Sequence, residues 1–111
     1  MKNVMIVNGY RAVIHFDPDI EMFRGEFVDL GGGEDFLADD VAGLRRQGER
    51  SLRAFLDECK AQGVRPRKHF SGKFMLRVPP AAHAAAVTAA AACGESLNQW
   101  IAGVIERAAR G

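Results

Sequence analysis

Apolar residues recur at two different periods along the first half of the chain. From Tyr10 to Phe16 the run YRAVIHF puts Tyr10, Ala12, Ile14 and Phe16 on one face, the alternation of a half-buried strand. Asp17-Pro18-Asp19 is a turn signal. Met22 to Val28 then alternates again, with Phe23, Gly25 and Phe27 against Arg24 and Glu26, so the two segments predict a β-hairpin. A short third strand is expected near Glu34 to Leu37, after the glycine run Gly31-Gly32-Gly33. The period then lengthens. Val41, Leu44, Leu52, Phe55, Leu56 and Cys59 share a helical stripe with Gly48, which predicts an amphipathic helix capped by Asp39 or Asp40 and ending near Gly63.

A Gly and a Pro within Gln62-Gly63-Val64-Arg65-Pro66-Arg67-Lys68 interrupt this pattern. Beyond them KFMLRV, Lys73 to Val78, alternates once more: Phe74, Leu76 and Val78 form an apolar face, and Lys73, Met75 and Arg77 an exposed, mostly basic one. Pro79-Pro80 ends this strand and opens a helix, because proline is tolerated in a first helical turn. The alanine-dense stretch Ala81 to Cys93 predicts that helix, with Gly94 as its C-terminal cap. Ser96 is the expected N-cap of a second helix whose apolar face is Leu97, Trp100, Ile101, Val104 and Ile105. A lone strand and two helices cannot bury Phe74, Leu76, Val78, Trp100 and Ile101. Two copies can, by pairing their strands antiparallel and interlocking their helices, so dimerisation is expected as a condition of folding.

Charge sharpens the division. The chain of 111 residues has a formal net charge of +1, yet residues 1–64 carry 8 Lys/Arg against 12 Asp/Glu, and residues 65–111 carry 7 against 2. An acidic front half and a basic rear half suggest a nucleic-acid face in the latter. The expected organisation is therefore a domain over 1–64, a linker over 65–71 and a second domain over 72–111. Arg65, Arg67 and Lys68 read equally as DNA-backbone contacts or as solvated linker.

Little points to cofactor chemistry. Cys59 and Cys93 are isolated thiols, and His15, His69 and His83 are scattered without the spacing that sets two ligands on one helix face, so neither a metal nor any other cofactor is expected. The triple glycine lacks the spacing of a phosphate loop. Val4 to Val7 is too short an apolar segment for a secretory signal, and no run is long enough to span a bilayer; a cytoplasmic protein without membrane contact is expected. Asp17, Asp19, Asp29 and Asp35 raise the alternative of a metal-dependent nuclease, but Asp17 and Asp19 flank a proline in the usual manner of turn residues, and no catalytic residue is assigned.

The order strand, helix, helix, carried by KFMLRVPP, the Gly94 turn and SLNQWI, resembles the ribbon-helix-helix repressors of the Arc/MetJ type, whose two-stranded ribbon enters the major groove. The resemblance implies base contacts by Lys73, Met75 and Arg77, although Met75 departs from the polar residue frequent there. It also implies phosphate contacts by the helix N-terminus at Ser96, Leu97 and Asn98.

The longer stretch HFSGKFMLRVPPAAHAAAVTAAAACGESLNQWI resembles the C-terminal part of HicB-family antitoxins, and YRAVIHFDPDIEMFRGEFVDL, LDECKAQG and RPRKHFSGK resemble its N-terminal domain. This implies an α+β chain: a small, partly RNase H-like α/β unit followed by a ribbon-helix-helix dimerisation unit. It further implies a type II antitoxin that neutralises a HicA-like, mRNA-cleaving toxin and represses its own operon by binding operator DNA as a homodimer, or as a dimer of dimers. FLADDVAGL stands where the family usually carries an FEG-containing approach to the helix. A stand-alone repressor without a toxin is the alternative reading.

Overall fold

The computed structural model describes residues 3–111, which divide into two compact units, one ending at Phe70 and one of Ser71–Gly111. The architecture is α+β: one four-stranded antiparallel sheet and three helices. The first unit holds β1 (Val4–Val7), β2 (Tyr10–Asp17), β3 (Met22–Phe27), β4 (Phe36–Ala38) and α1 (Val41–Gln62), with the strands in sequence order across the sheet. The second holds α2 (Pro80–Ala92) and α3 (Leu97–Arg110).

β1 is the strand that the pattern did not predict. Its signal lies in Asn8-Gly9, which adopt φ of 49° and 86° and join Val7 to its partner Tyr10. Two successive left-handed residues make the two-residue turn whose twist matches a hairpin, and Asn-Gly is the pair that adopts it most readily. β4 begins two residues later than expected.

α1 follows the predicted stripe. Asp40 is the N-cap, its side chain accepting from the Gly43 N–H, and Gly63 closes the helix in the left-handed conformation. The helix packs on β1, β3 and β4 over a core of Met5, Val7, Ala12, Leu30, Phe36, Ala38, Leu44 and Leu52. Phe16 was expected on this face, but it lies at the sheet's end past the helix and stays 53% exposed.

The stretch 65–71, expected as linker, makes backbone contacts with the first unit at its centre: Gly31 donates to the Pro66 carbonyl, Lys68 to the Asp29 carbonyl, and Leu30 and Arg67 form an isolated bridge. The stretch Lys73 to Val78, expected as a strand, forms none within the chain. A strand exists only through its pairing, and one chain offers this segment no partner.

In the second unit α2 starts at Pro80 and ends at Ala92; Cys93, not the expected Gly94, is its C-cap, and the left-handed Gly94 follows it. Gly94 donates to Ala91 and Glu95 to Ala90, which satisfies carbonyls the helix end leaves free. Among the described residues of this unit only Ala90 is buried.

Candidate dimer and nucleic-acid interface

The segment expected to form the ribbon is open on both sides. Phe74 is 71% exposed, Met75 84%, Leu76 55% and Val78 47%, and Lys73 and Arg77 are exposed as well. Its start is set by a local turn in which Lys73 donates to the Ser71 hydroxyl at 3.0 Å, with Gly72 between them at a φ of 83°. The apolar side chains flank two hollows. One, of about 540 Å³, is lined by Leu76, Val78, His83, Leu97, Trp100 and Ile101 among others. The second, of about 810 Å³, runs along Phe74, Leu76, Ile101 and Ile105. Leu76 and Ile101 border both, so the residues assigned to the dimer core are gathered around one continuous apolar surface. Leu97, Trp100, Ile101 and Val104 are half-buried by their own unit.

His83 belongs to this surface and was not singled out in the sequence. It precedes Ala86 and Ala90 by one and two helical turns, the stripe of α2 that is covered, and its spacing would have shown it.

The start of α3 is built by a reciprocal pair. Ser96 accepts from the Gln99 N–H at 3.2 Å, and the Gln99 side chain accepts from the Ser96 N–H at 3.0 Å. Of the three residues assigned to phosphate contact, Ser96 thus has its N–H engaged. The N–H groups of Leu97 and Asn98 have no partner among the described residues and remain free for an anion.

In the first unit three of the four carboxylates considered for metal chemistry, Asp17, Asp29 and Asp35, have other work. Asp17 and Asp35 pair with Arg24 at 3.4 and 3.6 Å, and Asp17 also accepts from the Asp19 N–H. Asp29 accepts from the Arg11 N–H and pairs with Arg67 at 3.1 Å. Among the described residues no cluster of three His, Cys, Asp or Glu is placed to hold a metal ion, and no helix is long and apolar enough to cross a membrane. Cys59 is buried in the stripe of α1, and Cys93 is exposed beside Gly94.

Residues 55–105 match the HicB family. The match covers somewhat less than half of the chain. It runs from the last turns of α1 through α2 into α3, and so spans Lys73, Met75, Arg77, Ser96, Leu97, Asn98 and Trp100. The HicB match does not reach β1 to β4. No curated protein and no solved structure matches the chain.

Proposed function

We propose that this chain is a HicB-type antitoxin, acting by binding and not by catalysis: a homodimer that represses its operon through a ribbon-helix-helix unit and holds a small basic HicA-like toxin on its acidic first unit. The family match supports the antitoxin role. The observation that carries the dimer is the second unit itself, which buries Ala90 alone while leaving Phe74, Leu76, Val78 and Trp100 around open hollows. A unit of some 40 residues with so little interior is not stable by itself. Pairing two copies of Lys73 to Val78 would supply the missing strand partner, close the apolar face, and leave Lys73, Met75 and Arg77 outward on the ribbon toward base edges. Leu97 and Asn98 would then offer their N–H groups to the phosphates that set the register.

The deciding experiment is a gel-shift titration of the purified protein on its own promoter at two salt concentrations, with unrelated DNA as competitor, beside sedimentation of the free protein. A dimer giving promoter-specific, salt-sensitive retardation is the expected result. A folded monomer, or equal affinity for both DNAs, refutes the repressor. Specific repression with no affinity for the protein encoded beside it leaves a stand-alone repressor.

A further inference from the structure

One end of the first unit combines exposed apolar side chains with unpaired carboxylates. There β2 runs out at Asp17, residues 18–21 turn back into β3, and β4 leaves at Ala38 for the start of α1. The register sets Phe16, Phe23 and Ala38 side by side across three strands, a span of about 10 Å. The rings of Phe16 and Phe23 meet edge to face at 5.8 Å. A Cβ at Gly43 would lie 3.3 Å from that of Ala38, so the first turn of α1, which carries Val41, sits at the same end. Phe16, Ile20 and Val41 are 53%, 44% and 63% exposed there.

Asp17, Asp19, Glu21, Asp39 and Asp40 surround them. Asp17 is paired with Arg24 and Asp40 caps α1, but the side chains of Asp19, Glu21 and Asp39 have no ion-pair or hydrogen-bond partner among the described residues. Arg24 is already shared between Asp17 and Asp35, and the Arg46 guanidinium reaches back to the first turn of α1, 3.5 Å from a Cβ built at Gly43, on the side of the capping Asp40 and without an ion pair to Asp19, Glu21 or Asp39. A second copy of this chain is a poor occupant, because a two-fold contact would bring each carboxylate rim against its like. Nucleic acid is repelled for the same reason. The remaining occupant is a protein whose surface carries Lys or Arg around an apolar centre, the usual anatomy of a protein interface.

We propose that the end of the first unit bearing Phe16, Ile20 and Val41 is the docking surface for a basic protein, with Asp19, Glu21 and Asp39 as its charged rim; resting on the antitoxin reading above, that protein is the toxin. The test uses the full chain and, as probe, the purified protein encoded next to it, with affinity followed by calorimetry. Phe16→Ser and the triple reversal Asp19→Lys, Glu21→Lys, Asp39→Lys should each weaken binding about tenfold or more. Ile6→Ser should not: Ile6 is equally exposed, but it alternates with buried Met5 and Val7 and so lies on the opposite face. The triple variant alters only surface charge, so its unchanged melting separates lost docking from lost folding. Tight wild-type binding that neither variant weakens overturns this surface and leaves the antitoxin reading intact, as does an equal loss in Ile6→Ser. No binding by the wild type overturns both.

Discussion

The guanidinium of Arg67 lies over the ring of Tyr10, 4.2 Å from its centroid, while pairing with Asp29 at 3.1 Å and donating to the Gly9 carbonyl. Arg67 thereby fastens the end of the first unit to its first hairpin. Because its side chain is about half exposed, the ion pair contributes little, and the ring contact adds a comparable amount. Arg67→Ala should cost about 1 kcal/mol in thermal or urea unfolding of the first unit and leave the salt dependence of DNA binding unchanged. A slope lowered by about one counterion would instead assign Arg67 to the DNA backbone.

Phe36 fits between two glycines. A Cβ at Gly25 on β3 would overlap its ring, and one at Gly48 on α1 would come within 2.9 Å of it. Gly to Ala inside an exposed helix normally stabilises by about 1 kcal/mol. At Gly48 the sign should reverse, with Gly48→Ala destabilising by about 1 to 2 kcal/mol as the ring is pushed off its site. Gly25→Ala should cost more. A stabilised Gly48→Ala in thermal unfolding would show that Phe36 has room to move.

These contacts also mark how far the fold is legible in the sequence. The stripe of α1 was readable with Gly48 on it, and so were both of its caps, because helix periodicity and capping act within a few residues. That Gly48 and Gly25 accommodate one ring was not, since it depends on how α1 packs on the sheet face that carries Phe36. β1 escaped because VMIV is only four residues long, although the Asn8-Gly9 turn beside it carried the signal. The exposure of Phe16 was hidden for another reason: alternation assigns a face, but where the covering helix begins decides which residues on that face are buried. In the second unit, alternation divided Phe74, Leu76 and Val78 from Lys73, Met75 and Arg77, yet in one chain Lys73 and Arg77 line the same hollows as the apolar set. It could not say that one chain would leave both sets exposed, because the pairing that makes the segment a strand is absent from a single copy. The reciprocal Ser96–Gln99 cap engages one of the three N–H groups expected to meet phosphate and leaves those of Leu97 and Asn98 without a partner among the described residues, a detail set by side-chain geometry.

If the ribbon reads bases, Lys73 and Arg77 are its charged readers. Either side chain can donate to guanine O6 and N7, and losing such a contact costs about 1 to 3 kcal/mol of discrimination. Lys73→Ala and Arg77→Ala should therefore each reduce promoter preference in competition gel shifts by that amount. The dimer should persist in sedimentation, because on a paired ribbon both side chains would alternate to the face away from Phe74, Leu76 and Val78. Unchanged preference in both variants would remove the base-reading assignment.

Trp100 tests the dimer most directly. Within one chain its ring is half-buried on the wall of the 540 Å³ hollow, between the stretch ending at Val78 and the inner stripe of α2. Were that hollow a small-molecule site, Trp100→Ala would enlarge it and leave the oligomeric state alone. If a second copy fills it, truncation removes a large aromatic from the shared core and costs about 3 to 5 kcal/mol. With folding of the second unit then tied to association, this loss should appear as a rise in the dimer dissociation constant, with melting of the second unit becoming more dependent on protein concentration. The first unit has its own core around Leu44 and Leu52 and should unfold at its original temperature. Sedimentation equilibrium together with concentration-dependent melting separates the cases: a dimer unaffected by Trp100→Ala would place the ring outside the interface and the interlocking of α3 with it.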